Sequence, residues 1–161
     1  MRRIDSKLLN DVSGQAKQLP RLRKNYNLHP ELSAVVQRLL NAMEPGTYIQ
    51  PHKHDNPDKT EYFFVLRGRI AVFKFDDEGN ITDYVILDQA DGKYGVEILP
   101  GTYHSLISLQ SGSVAFEVKE GPYELSTAKN FAPWAPPEEH PGVPAYLKKL
   151  TDHLQNNGCL M

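Results

Sequence analysis

Between residues 47 and 125 the apolar residues recur with a period of two, in runs too short for a helix and too closely spaced to leave room for one. Those runs, rich in Val, Ile, Tyr and Phe, predict strands near 47–54, 61–66, 69–75, 81–87, 95–99, 105–109 and 114–119. Turn clusters separate them, among them Asp55-Asn56-Pro57-Asp58, Arg67-Gly68, Asp76-Asp77-Glu78-Gly79-Asn80 and Pro100-Gly101. A parallel sheet needs crossover connections of about a dozen residues or more. The chain has no space for them, so the span is expected to form an antiparallel sandwich or barrel.

The flanks read differently. Residues 1–44 are expected to be a helical arm. Asp5 caps a first helix over 6–18 that carries Leu8, Leu9, Val12 and Ala16, and Pro20 ends it. Pro30 opens a second helix whose apolar face is Leu32, Val35, Val36, Leu39, Leu40 and Met43, and Pro45-Gly46 stops it. Residues 122–144 hold six of the twelve prolines, so this part is expected to lie along the body as an extended strap. Pro144 then begins a last helix, to about Gln155, with Tyr146, Leu147, Leu150 and Leu154 as its stripe. The expected organisation is one structural domain: an arm at 1–44, a barrel at 45–125, and a strap with a helix at 126–161.

Charge and cysteine narrow the function classes. Residues 1–30 carry seven Lys/Arg against two Asp/Glu, and the remainder eleven against eighteen. That basic excess is modest and comes without a zinc-finger, RNP or helix-turn-helix pattern, so no nucleic-acid partner is expected. No apolar run approaches the ~20 residues of a membrane span, and the charged start lacks an uninterrupted apolar stretch, so a cytoplasmic protein is expected. The single cysteine, Cys159, excludes an intrachain disulfide and a multi-cysteine zinc site.

Three of the six histidines, His52, His54 and His104, fall within the strand region. His52 and His54 are two apart and point to the same face of a strand. Two imidazoles side by side need partners for their nitrogens and repel if both are protonated. A divalent cation removes that conflict by taking a lone pair from each. Glu61 opens the next strand and His104 follows the Pro100-Gly101 turn, which together offers four ligands to a first-row transition metal. A hydrogen-bonded histidine pair without metal is the other reading. Glu61 is preferred to Asp58, which lies in an Asn-Pro turn. By alternation Tyr48 and Gln50 share the face of His52, Phe63 that of Glu61, and Phe116 lines the opposite wall. His29, His140 and His153 are expected at the surface.

These residues resemble the motifs of the cupin superfamily. Gly46 is followed after five residues by His52-Lys53-His54, and Glu61 after six by Gly68; Gly101 is followed by Thr102-Tyr103-His104. The resemblance implies a double-stranded β-helix, the cupin jelly-roll barrel, with His52, His54, Glu61 and His104 as metal ligands. The spacer from His54 to Glu61 is six residues, longer than is usual in cupins, and Ser108 stands where Asn is common. More narrowly the chain resembles the WbuC family of cupin metalloproteins, through the stretch from His52 to Gly68 and the segment Phe131-Ala132-Pro133-Trp134-Ala135-Pro136-Pro137-Glu138. That family is associated with O-antigen gene clusters. The resemblance implies one divalent transition metal (Fe, Mn, Ni, Zn or Cu) and a small polar ligand such as a sugar or sugar nucleotide. It also implies a homodimer paired through exposed strands. A metal-dependent isomerase or epimerase is the first expectation, and an Fe(II) oxygenase is a variant of it. A metal-independent nucleotide-sugar epimerase or isomerase, or a non-catalytic sugar-binding cupin, are the alternatives.

Overall fold

A computed structural model describes residues 1–126 and 128–160. The chain begins with helix α1 (Ser6–Gln18). Ten strands follow: β1 (Arg23–Asn27), β2 (Val36–Met43), β3 (His52–Lys53), β4 (Glu61–Arg67), β5 (Arg69–Phe75), β6 (Ile81–Asp88), β7 (Gly95–Ile98), β8 (Tyr103–Ser108), β9 (Ser113–Glu120) and β10 (Asn130–Phe131). Helix α2 (Val143–Asn156) closes the chain. The strands form two five-stranded sheets, β1-β2-β9-β4-β7 and β10-β3-β8-β5-β6, and every ladder is antiparallel. This is the jelly-roll barrel expected from the motifs.

Each helix covers the outer face of one sheet. Helix α1, capped by the Asp5 carboxylate accepting from Leu8 N–H at 3.0 Å, buries Leu9, Val12 and Ala16 against Leu40, Ala42 and Val114 of β2 and β9. Arg67 ties it down by donating to the Leu9 carbonyl, Ser13 Oγ and Asn10 Oδ1. Helix α2 buries Leu150 and Leu154 against Ala71, Phe73 and Ile107 of the other sheet. No helix among the described residues is long and apolar enough to cross a membrane.

The expected second helix does not form. Residues 36–43 are strand β2, paired to β1 on one side and β9 on the other, so residues 23–43 belong to the barrel sheet and not to a helical arm. The cause is burial on both faces. Leu40 and Ala42 face α1 while Leu39 and Met43 face the lumen, and apolar residues on both sides of a strand imitate a helical stripe. Pro30 lies in the β1–β2 connection, where the Gln37 side chain donates to the carbonyls of Leu32 and Ala34. The expected strand at 47–54 shrinks to His52–Lys53.

The lumen has an apolar floor and a polar mouth. Met43, Phe63, Val65, Ile70, Val72, Leu87, Leu106 and Ala115 fill the floor. Toward the mouth the same strands change character. β4 begins with Glu61, His104 is the second residue of β8, and Glu117 and Lys119 lie near the end of β9, all buried. That gradient along the strands sets where chemistry can occur.

Candidate metal centre

His52 and His54 sit at either end of Lys53 where β3 pairs with β8, and the register places His52 opposite His104. The turn before β8 is fastened to this strand, because Gly101 N–H donates to the His54 carbonyl at 3.0 Å. Ser105 Oγ adds a bond to the Ile49 carbonyl at 2.6 Å. Glu61 enters from the facing sheet. One ligand atom from each of His52, His54, Glu61 and His104 falls within 4.8 Å of all the others, and all four residues are buried. Donors about 2.0–2.2 Å from one ion lie at most about 4.4 Å apart, so shifts of about a few tenths of an ångström would seat one. Asp58 is exposed and takes no part.

The backbone fixes the rings. His52 Nδ1 donates to the Gln50 carbonyl at 2.9 Å and His104 Nδ1 to the Thr102 carbonyl at 3.0 Å. A carbonyl only accepts, so the proton of each neutral ring sits on Nδ1 and Nε2 carries a lone pair. His104 Nε2 is 3.0 Å from Glu61 Oε2. His54 Nε2 is 3.3 Å from the same oxygen but lacks a hydrogen-bonding angle, and both nitrogens of His54 are buried without partners. Three imidazoles and a carboxylate gathered in this way fit the donor set of a divalent-cation site.

Electrostatics favour the ligating form of His52, His54 and Glu61. Burial holds the His52 imidazole well below its ordinary range, with Lys129 and His104 adding to it; burial likewise lowers His54. Burial alone would raise Glu61, but Lys119 and the two imidazoles outweigh it and hold the carboxyl well below the usual carboxylate range. Lys119 Nζ lies 3.3 Å from Glu61 Oε1 and 3.7 Å from Glu117 Oε1. Burial and the Glu61 charge push Glu117 up to about 8.

A cavity of about 680 Å³ lies in the polar mouth, lined by Asn25, Asn41, Ile49, Glu117, Lys119, Lys129 and Phe131 among others. Phe131 leads to the cluster, its ring centroid 6.1 Å from that of His52. The strap shapes the rim: Glu138 pairs with Arg21 at 2.6 Å and with Arg23 at 2.5 Å.

The four expected pocket residues scatter. Phe63 is in the lumen, its ring centroid 6.3 Å from His104. Gln50 contributes its carbonyl to His52. Tyr48 turns away, donating to the Pro136 carbonyl at 2.7 Å and stacking edge-on with Tyr146 of α2. Residues 47–50 are not in a ladder, so alternation does not carry from His52 back to Tyr48. Phe116 packs toward α1 and does not line the opposite wall. Its neighbours Glu117 and Lys119 do, together with Asn41. The sequence signal for them was a polar alternation in β9 running opposite to the apolar one. His29, expected at the surface, is buried in the β1–β2 connection with Nδ1 against the Arg38 main chain.

The fold and the clustered donors define a cupin-type barrel. A solved structure of TT1209 from Thermus thermophilus aligns at 15% identity and a TM-score of 0.53, over 74% of this chain and 97% of that one. The oxalate decarboxylase of Lactobacillus farciminis, in its formate complex, aligns at 17% identity and 0.50, over 68% of this chain and 30% of that one. The cupin domain of Schizosaccharomyces pombe Cnp3 aligns at 17% identity and 0.46, over 61% and 64%. The chain therefore spans less than two thirds of the Cnp3 domain and under a third of the decarboxylase; the likeness is one of fold. Residues 4–87 match the family model described as "Domain of unknown function (DUF6016)", just over half of the chain, and the protein belongs to that family. The match includes His52, His54 and Glu61 and ends before His104. No curated protein matches the chain in sequence.

Proposed function

We propose that His52, His54, Glu61 and His104 hold one divalent transition metal (Fe, Mn, Ni, Zn or Cu) and that the protein is a metal-dependent enzyme acting on a small polar metabolite. A sugar derivative of O-antigen or other surface-polysaccharide synthesis is the substrate we favour, on the resemblance to the WbuC family. The observation that carries the metal reading is the convergence of one donor atom from each of four buried residues, all within 4.8 Å of one another.

Bound there, a divalent ion supplies Lewis-acid polarisation of a substrate oxygen. The chain's own groups do the rest. Lys119 keeps Glu61 anionic. The Gln50 and Thr102 carbonyls keep Nε2 of His52 and His104 facing inward. The apolar floor under Phe63 closes the lumen behind the cluster, so substrate enters from the cavity side. Isomerisation or epimerisation is the reaction class this enclosed site suits best, since both require proton movement next to a polarised carbonyl. Oxygen chemistry at Fe(II) is the variant. Pairing with a second copy through the exposed sheet face around Val36, Tyr62 and Phe64 completes the reading.

The test is elemental analysis of protein purified without added metal, followed by an NMR screen of sugars and sugar nucleotides in D2O. About one equivalent of a transition metal and turnover lost on chelation are expected. Turnover that survives complete chelation points to a metal-independent isomerase, saturable binding without turnover to a binding protein, and dioxygen consumption to the oxygenase.

A further inference from the structure

The cavity beside the cluster carries a surplus of cations. Arg21, Arg23, Lys24, Lys119 and Lys129 line it, against Glu117 and Glu138. Glu138 is taken up by the two arginines, and Lys119 by Glu61 and Glu117. Lys129 is different. It stands two residues before Phe131, and both line the cavity, while Asn130 between them turns outward to Asp55. Among the described residues no carboxylate lies within 4 Å of its ammonium. Burial lowers its affinity for a proton, and Glu117 and Glu61 pull the other way.

Two buried polar atoms of cavity-lining residues lack partners. Asn41 Nδ2 donates to Glu117 Oε2 at 3.2 Å, and its Oδ1 is buried and unpaired. His29 has Nδ1 against the Arg38 main chain and Nε2 buried and unpaired. Both residues are less than a tenth exposed and both line the cavity. Buried groups of this kind are normally satisfied, so a cavity holding two of them beside Lys129 suits a ligand that satisfies them.

We propose that this cavity binds a small polyhydroxylated anion, a sugar bearing a carboxylate or a phosphate. Its anionic group is met by Lys129, and a hydroxyl donates to Asn41 Oδ1. The inference rests on the reading of the site as one for a sugar derivative and names the charge class of that ligand. A neutral sugar leaves Lys129 without a counter-charge in a half-buried setting. An acidic one removes that penalty with a charge-assisted hydrogen bond. The volume accommodates a monosaccharide with its acidic group and leaves room toward the cluster.

The test is calorimetric titration of the full chain, as purified and with its metal content measured, using glucuronate, glucose 1-phosphate and glucose. One or both anions are expected to bind at least about tenfold more tightly than glucose and to weaken as NaCl rises. Preference for glucuronate assigns a carboxylate, and preference for glucose 1-phosphate a phosphate. Lys129→Gln is expected to lose about tenfold toward the preferred anion and to leave glucose unchanged, while Lys129→Arg keeps most of the affinity. Should Lys129→Gln fail to fold, the salt dependence and the Arg variant carry the same comparison. The proposal is overturned if glucose binds as well as both anions, if neither anion saturates the site, or if Lys129→Gln binds anions like the parent. Metal content is read separately. An empty metal site with intact Lys129-dependent anion binding defeats the metal reading alone, and a loaded site indifferent to anions defeats this proposal alone.

Discussion

His104 and Glu61 meet at the centre of the site, Nε2 of the ring 3.0 Å from Oε2 of the carboxylate. The Thr102 carbonyl accepts from His104 Nδ1 and so turns Nε2 toward Glu61. Lys119 reaches the same carboxylate from the far side, through Oε1. On the proposal that His104 is a ligand, its removal takes away one of four donors. His104→Ala is expected to abolish stoichiometric metal, and Glu61→Gln, which keeps an oxygen but no charge, to weaken affinity by about tenfold or more. A competitive-chelator titration measures both, and a fully loaded His104→Ala protein would falsify the ligand assignment.

Metal and stability are linked. An ion that binds only the folded barrel stabilises it by about 2.7 kcal/mol when its free concentration is 100 times Kd. For a chain of this length that corresponds to a Tm increase of about 5–10 °C. Exhaustive chelation is expected to lower Tm by this much, and adding back the native ion to restore it. Differential scanning calorimetry on the two forms makes the check; identical melting curves would mean that no structural ion is held.

The strands from 61 onward were legible because each has turn residues at both ends and an apolar face of period two. The cluster was legible because His52-Lys53-His54 needs only local alternation. What could not be read is which face of a doubly covered strand looks inward. In β9, Val114 and Phe116 are more apolar than Glu117 and Lys119, so hydrophobicity alone assigns them to the lumen. Helix α1 reverses the assignment by burying the apolar face from outside. The same cover made β2 look helical. Lys129 stayed out of view because only the pairing of β10 with β3, through Phe131 and His52, brings the strap to the site.

Gly68 turns the chain from β4 in one sheet to β5 in the other with φ of +79°. An added Cβ would meet Ser113 Oγ and would stand 2.8 Å from Ser113 Cα, which belongs to a buried strand and cannot swing aside. Strain in the left-handed region and this overlap act together. Gly68→Ala is expected to destabilise the fold by about 2–4 kcal/mol in urea unfolding. Because Gly68 lies at the end of β4 remote from Glu61, metal affinity of the folded fraction is expected to be unchanged. A loss below about 0.5 kcal/mol would show that the turn relaxes freely.

Tyr48 and Tyr146 meet edge-on beneath the strap, and burial raises both phenols well above their ordinary range, with mutual repulsion and Glu138 adding to it for Tyr48. A group whose pKa is higher folded than unfolded contributes stability that is complete below the unfolded value, about 10 for tyrosine. That contribution falls as pH rises further, because the unfolded chain ionises first. The barrel is therefore expected to lose Tm steeply between about pH 10 and 11. Tyr146→Phe removes one of the two phenols. Its hydroxyl is buried without a partner, so the variant is expected to melt at or above the parent temperature at pH 8 and to lose less on going to pH 11. Tyr48→Phe also flattens the alkaline slope but forfeits the bond to the Pro136 carbonyl, at a cost of about 0.5–1.5 kcal/mol at pH 8. Melting curves of the three proteins at pH 8, 9.5 and 11 decide the matter, and a Tyr146→Phe slope as steep as the parent's would place the alkaline transition elsewhere.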